Sequence, residues 1–465
     1  MDVNSLISNK FQKYHDEERK DHTSINICDL PNEILQAILS NLPIKDAVRT
    51  SALSKRWIDQ WNMDISKVDL EEERDEKRQQ FIHFVGRLLM VCKPSCIKKF
   101  SLVFKVGKDA PQVHEWLCGF INPKVQEVNI DLWGVEEPLA FPDHMFTSET
   151  LVKLNLCMQH VINIPSSIFL PNLKTLTLKE VIFPGSYSTQ QLFSRCPSLE
   201  ELTLTDCDWT NVTQICIIFP LLQKLIIREW NDDVDVEDDA NDVDAPNKCN
   251  IFILGANLKT FSYDGDLINN YFLFNTTLVN DATVEVHTWN AGYFVCKFLI
   301  FVSNVEKLSL IDSAIEALSH TYYFMEHLPL FHKLVELHMG ASELPINLAS
   351  EGCMTILRKS PILKLVNFVK GVSLPLNGEN NIGPLPVCFR THLKTIKINN
   401  FSGKEEELNA IQFLFQKALV LEEIHIYRNE NEFDIDGGPE RLDMLMEQIV
   451  EFPRVADCDI IFEEE

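Results

Sequence analysis

Leu173-Lys174-Thr175-Leu176-Thr177-Leu178 and Leu199-Glu200-Glu201-Leu202-Thr203-Leu204 share one pattern, apolar at the first, fourth and sixth positions. The final alternation is that of a strand with one buried face. A single such hexamer describes any buried strand. Here it recurs. Upstream stand Ile97-x-x-Phe100-x-Leu102, Val125-x-x-Val128-x-Ile130 and Leu151-x-x-Leu154-x-Leu156. Downstream come Leu222-x-x-Leu225-x-Ile227, Leu258-x-x-Phe261-x-Tyr263, Val305-x-x-Leu308-x-Leu310 and Leu334-x-x-Leu337-x-Met339. Leu363-x-x-Val366-x-Phe368, Leu393-x-x-Ile396-x-Ile398 and Leu421-x-x-Ile424-x-Ile426 follow, and Ile65-x-x-Val68-x-Leu70 and a weaker match ending in Val284-x-Val286 extend the series.

Most anchors lie roughly 22 to 30 residues apart, the period of a leucine-rich repeat. One repeat cannot bury its own apolar face, so neighbours stack and share a core. The predicted fold is therefore α/β: an irregular solenoid with a parallel strand ladder, and helices and loops on its convex side. Few units have the asparagine expected after the strand, which implies a less uniform ladder. The stretch from Gln190 to Cys196 reads as a convex helix packing Leu192 and Phe193 onto the sheet.

A different pattern precedes the ladder. Leu30-Pro31-Asn32-Glu33 places a proline where a helix begins. Ile34, Leu35, Ile38, Leu39 and Leu42 then recur at helical spacing, and Pro43 stops the helix. A second helix covers Lys45 to Leu53, and Ser54 is placed to cap a third short turn carrying Trp57 and Trp61. Three helices this short leave an apolar face for a partner or for the next domain.

The segment Asp29-Leu30-Pro31-Asn32-Glu33-Ile34-Leu35 through Pro43, with Lys45 to Trp57, resembles a plant F-box. Val113-His114-Glu115-Trp116-Leu117 resembles the start of the repeat region in plant F-box proteins with leucine-rich repeats. Leu393 to Gly403, continued by Glu407-Leu408 and Ala418 to Ile424, is similar to the FBD module that closes many of them. The implied family is the plant F-box/FBD/leucine-rich-repeat proteins. Its implied domains are a loose polar tail over 1–24, an F-box over 25–64, repeats over 65–385 with an acidic loop at 231–247, and an FBD-like module over 386–465.

The resemblance implies a non-catalytic receptor subunit of an SCF-type (Skp-cullin-F-box) ubiquitin ligase. Its F-box would bind a Skp-type adaptor, and through it cullin and RING subunits, while the repeats bind a target protein. By motif position the adaptor-binding residues are Leu30, Pro31, Ile34, Leu35, Ile38, Leu39, Leu42, Pro43, Leu53 and Trp57, with Leu53 and Trp57 expected to face inward as well. Asn32 stands where an acidic residue is common, a departure with no expected consequence. The alternative is a repeat-based interaction or small-molecule-sensing protein whose F-box is degenerate.

The chain has 465 residues and is 45% hydrophobic, ample for a sizeable core. Its net charge of −26 argues against nucleic acid, whose binding needs Lys and Arg to displace counterions, and against anionic membranes. Thirteen cysteines without an even framework, several inside apolar runs, fit a reducing compartment, cytoplasm or nucleus. Neither an N-terminal h-region nor a membrane-length apolar stretch is present.

No cofactor or metal is expected. The carboxylates of Asp232 to Asp244 begin like a calcium loop, but Asp238 stands where the turn needs glycine and Asp244 where a bidentate glutamate is needed. That stretch reads as a solvated loop. Cys157-x-x-His160 and Cys92-x-x-x-Cys96 have no second half at zinc-finger spacing. Neither a Walker-A loop nor GxGxxG, GxSxG or HExxH occurs, and His287, His320, His327, His332 and His338 have no evident nucleophile partner. In a solenoid, residues between the core positions of each strand face the concave side. The candidate target-binding residues are accordingly Glu201, Thr203, Thr205, Lys224, Arg228, Lys307, Glu336 and His338.

Overall fold

The alternating strands pair side by side in chain order, every pair parallel, to make one 15-stranded sheet. The structure, a computed structural model, describes residues 27, 30–42, 44–50, 53–57, 66–72, 78–91, 94–230, 248–287, 291–320, 326–340, 344–376, 378–428 and 438–464. The tail 1–24, Pro43, Trp61 and the acidic loop 231–247 lie outside the described residues.

The ladder opens with β1 (Lys67–Glu71), β2 (Lys99–Gly107), β3 (Glu127–Val135), β4 (Lys153–Met158), β5 (Thr175–Lys179) and β6 (Glu201–Thr205). Between β6 and β8 (Lys224–Glu229) runs β7 (Gln214–Ile218), and between β8 and β10 (Thr260–Gly265) runs β9 (Asn250–Leu254). β11 (Asn270–Phe274) precedes β12 (Asp281–Val286). The ladder continues through β13 (Lys307–Asp312), β14 (Glu336–Met339), β16 (Leu365–Phe368), β18 (Thr395–Phe401), β19 (Glu423–Arg428) and β20 (Asp459–Glu464). β15 (Ile346–Asn347) and β17 (Val372–Ser373) form a separate two-stranded pair. β7, β9 and β11 form a three-stranded sheet of their own.

Register explains why the hexamers carry the fold. Leu154, Leu176, Leu202 and Leu225 are consecutive ladder partners, as are Leu156, Leu178, Leu204 and Ile227, so each apolar position becomes a buried column. Burying one such side chain contributes about 2 kcal/mol, a gain available only when the neighbouring repeat covers it.

Among the described residues α1 (Asn32–Asn41) and α2 (Ile44–Thr50) stand ahead of the sheet. Helices on the return segments are α3 (Arg78–Val91), α4 (Ala110–Phe120), α5 (Ser186–Ser194), α6 (Gly292–Phe301) and α7 (Ala314–Ser319). They continue with α8 (Glu351–Arg358), α9 (Cys388–Thr391), α10 (Glu405–Lys417) and α11 (Gly438–Glu451). As expected, α5 buries Leu192 and Phe193, and Phe193 packs among Phe183, Trp209 and Phe219.

Two readings of the ladder change. The weak repeat does not end in Val284-x-Val286: Phe261 pairs with Ala282 and Tyr263 with Val284, so the hexamer is Val279-x-x-Ala282-x-Val284. Alanine at the middle anchor disguised it. β20, in register with β19 through Ile424↔Ile460 and Ile426↔Phe462, adds a strand that the pattern did not reveal. Where the usual asparagine is missing, Glu180 and Asp206 take left-handed backbone, at φ 57 and 50. Their side chains tie neighbouring turns, Glu180 accepting from Gln159 Nε2 at 2.6 Å and Asp206 from Trp230 N–H at 3.0 Å.

Candidate docking surfaces

The N-terminal helices begin where the proline predicted. Pro31, at φ −53 and ψ 150, caps α1 and its carbonyl accepts from the N–H groups of Ile34 and Leu35 at 3.0 and 3.1 Å. Glu33 in the first turn lies at the favourable end of the helix dipole. A third turn spans residues 55–57, where Trp57 N–H reaches the Ser54 carbonyl at 3.1 Å. Asn32 has a role after all: its Oδ1 accepts from Arg56 Nε and Nη2 at 3.3 and 2.8 Å, joining the start of α1 to that third turn.

The ten positions taken from the motif divide by burial. Leu35 and Trp57 are buried, at 0% and 1% exposure, Trp57 inward as expected. Leu53 was expected inward with Trp57 but is 55% exposed, because it sits in the turn after α2 and not on a helix face. Ile34 and Leu42 are exposed with it, and so is Pro31. Leu30 and Ile38 are half-buried. Leu39, with Ile44, leans on the solenoid core, where Lys45 Nζ lies 5.6 Å from the Phe81 ring centroid. Pro43 lies outside the described residues. The exposed subset is a small apolar surface on a subdomain whose own core is Leu35 and Trp57.

The open face of the ladder carries the other eight candidates, and the structure divides them into two groups. Glu201, Thr203, Thr205, Lys224 and Arg228 lie on the adjacent strands β6 and β8, with Glu201 opposite Lys224 and Thr205 opposite Arg228. Lys307, Glu336 and His338 lie on β13 and β14, three strand spacings from β8, or about 14 Å.

In the second group Glu336 is the hub. Lys307 Nζ lies 3.1 Å and His338 Nε2 2.6 Å from its Oε1, and His338 Nδ1 is 3.0 Å from Asn367 Nδ2. Burial pushes the Glu336 carboxyl up, but the hydrogen bonds from His338 and Lys307 outweigh it and hold it below its ordinary value.

In the first group Arg228 Nε approaches Asp264 Oδ2 at 3.6 Å, and Asp264 Oδ1 lies 2.9 Å from His287 Nε2. Trp230 stacks on the His287 ring at 4.6 Å and is 54% exposed. Trp230 escaped the sequence reading because it follows the strand and lies outside the hexamer. The signal was there, a tryptophan one residue past a strand end.

The thiols of Cys157, Cys196 and Cys207 are pushed up to about 12, mainly by burial, which leaves them without thiolate character. Among the described residues no three His, Cys, Asp or Glu side chains come together as a metal site, and no helix is long and apolar enough to cross a membrane.

Comparison with known proteins matches this layout piece by piece. Residues 27–69 match the F-box domain, residues 113–252 the LRR repeats described for FBD-associated F-box protein At5g56370, and residues 383–426 the FBD. The chain is 28% identical to a putative F-box/FBD/LRR-repeat protein of Arabidopsis thaliana, At5g22670, over 93% of its own length and 96% of the relative's. It is 28% identical to F-box/LRR-repeat protein At2g42730, over 90% and 94% of the two chains. F-box/LRR-repeat protein 13, also from Arabidopsis thaliana, is 27% identical over 95% and 98%.

Proposed function

We propose, for a chain that belongs with the plant F-box/FBD/leucine-rich-repeat proteins, that it is the substrate-recognition subunit of an SCF-type ubiquitin ligase. Proteins of this class are generally non-catalytic adaptors, and the F-box domain generally binds Skp-type adaptors. The supporting observation is the exposed set Pro31, Ile34, Leu42 and Leu53 on a helical subdomain that already has its own core. Apolar side chains left outside a completed core are available to a partner. Bound there, the adaptor would bring cullin and RING subunits, and the repeats would hold a target protein close to the charged conjugating enzyme. That is catalysis by proximity, and it asks no acid, base or nucleophile of this chain.

In this reading the F-box runs over 25–64 and the repeats over 65–385, and 386–465 continues them as the FBD-like module. The target would lie against the open ladder face, with Glu201, Thr203, Thr205, Lys224 and Arg228 in one contact group and Lys307, Glu336 and His338 in another. Arg228 beside the exposed Trp230 is the strongest point of that face, since Trp and Arg dominate binding energy at interfaces. The chain would work in the cytoplasm or nucleus.

The test is co-purification with a recombinant Skp-type adaptor. Ile34→Ala with Leu53→Ala removes two exposed anchors worth about 2 kcal/mol each, a loss of roughly a thousandfold in affinity. Undiminished binding by the folded double variant, or no binding by the wild type, overturns the proposal.

A further inference from the structure

Between α5 and α6 the convex side of the solenoid changes character. The three return segments there supply strands instead of helices, and β7, β9 and β11 lie in parallel register beneath the ladder. Their inward residues, including Ile215, Ile217, Ile251, Ile253 and Leu273, are buried. The opposite residues make two apolar rows. Cys216, Phe252 and Phe272 form one, half-buried. Ile218, Leu254 and Phe274 form the other, 52%, 36% and 49% exposed. Leu221 and Leu278, in the turns that follow β7 and β11, are 48% and 50% exposed. Both edges are occupied. Gln190 of α5 bonds to the N–H and carbonyl of Cys216 at 2.9 Å each, in the manner of a neighbouring strand, and α6 lies along β11. Among the described residues the apolar face is therefore bounded by a helix on each side and has no helix over it.

The face also carries charge of one sign. Segments 213–222, 248–258, 268–280 and 291–302 contain no aspartate or glutamate, in a chain of net charge −26. The cations present are Lys248, over the Phe294 ring at 5.6 Å, and Lys297, 3.8 Å from the Phe272 centroid. Lys297 is half-buried and burial lowers its pKa, a cost that an added carboxylate would relieve.

We propose that the outer face of β7, β9 and β11 is a docking site for an acidic amphipathic helix of a partner protein, its apolar stripe on Ile218, Leu254 and Phe274 and its carboxylates toward Lys297 and Lys248. A helix there would continue the helical layer that α5 and α6 supply on either side. Charge complementarity selects the partner's sign. A second copy of this chain is disfavoured, because pairing the patch with itself brings no carboxylate to either lysine. The site is separate from the F-box, so its test is independent of adaptor binding.

The probe is a synthetic helix of about five turns, with leucine at the first, fourth, fifth and eighth positions of each repeat and glutamate on the remaining face. A matched peptide carries lysine in place of glutamate. Binding to the full chain is read by fluorescence anisotropy. The acidic peptide should bind at least about tenfold more tightly than the basic one, and Lys297→Glu should remove that preference. Phe274→Ser with Ile218→Ser should weaken binding at least about tenfold. Circular dichroism confirms that each variant is folded, and Leu254→Ser replaces the double variant if that fails to fold. Equal binding of both peptides, binding by neither, or binding indifferent to the serine variants overturns the proposal. So does a concentration-dependent dimer in sedimentation that Phe274→Ser abolishes, since the occupant would then be a second copy.

Discussion

Asn269 and Glu229 meet in the core across 40 residues of chain, Asn269 Nδ2 donating to Glu229 Oε1 at 2.7 Å. The same amide's Oδ1 accepts from Cys249 N–H at 3.1 Å. The Tyr271 hydroxyl donates to Oε1 as well, and the Tyr263 hydroxyl to Oε2 at 3.0 Å while accepting from Leu267 N–H at 2.7 Å. Leu132, Met158 and Val286 occupy the equivalent inward position on other strands. A carboxyl here joins β8, the end of one strand excursion, to Cys249, the start of the next.

Asn269→Ala should therefore cost about 2 kcal/mol or more, because it leaves both a buried carboxyl oxygen and a buried N–H short of a partner. Urea unfolding of the full chain measures it. A midpoint equal to that of the wild type would show that water takes over both bonds.

The same network predicts a pH signature. Burial raises the Glu229 pKa against the lowering effect of its hydrogen bonds from Tyr271, Asn269 and Tyr263. A carboxyl raised in the folded state contributes stability that is fully present below its unfolded value, about 4.3, and is lost as pH rises through the folded value. Glu229→Gln has no proton to lose. Wild type should gain stability relative to Glu229→Gln as pH falls through the raised folded value toward about 4.3. Parallel stability curves for the two proteins would mean that Glu229 does not titrate in that window.

The ladder was legible because leucine at a fixed spacing is what a shared core requires, and each hexamer declares its own strand. Where the anchor shrank to Ala282, or the leucine gave way to the Asp457-x-x-Ile460-x-Phe462 of β20, the pattern faded although the geometry did not. The convex sheet was hidden for a different reason. Ile251 and Ile253 alternate just as ladder residues do, and nothing local separates a strand on the open face from one beneath it. In the F-box, helical spacing marked Ile34 and Leu35 alike as apolar, and only the three-dimensional arrangement leaves Leu35 buried and Ile34 exposed.

The FBD-like segment contains a position that only glycine fits. Gly403 takes φ 73 between β18 and α10, and a Cβ there would lie 2.4 Å from Leu445 Cδ1 of α11. Beside it, buried Glu407 accepts from Ser402 N–H and Oγ at 3.0 Å and from Lys404 N–H at 3.1 Å, holding the turn in place. Gly403→Ala combines backbone strain with a displaced α11 and should cost about 1–3 kcal/mol. Thermal unfolding reads the loss, and an unchanged midpoint would mean that α11 moves aside freely.

Leu35 and Ile34 are neighbours in sequence and opposites in consequence. Leu35 is fully buried in the small helical core that includes Trp57, whereas Ile34 is 45% exposed. Leu35→Ala removes core volume and should destabilise the F-box by about 2–4 kcal/mol. In so small a subdomain that would lose adaptor binding by unfolding the docking surface. Ile34→Ala should leave stability within about 0.5 kcal/mol and weaken the adaptor complex by about 2 kcal/mol if it is an anchor. Hydrogen exchange over residues 30–57 separates the two effects, since only Leu35→Ala should speed exchange in α1. Should Ile34→Ala speed it equally, the side chain is structural and the docking face must be sought at Leu42 and Leu53.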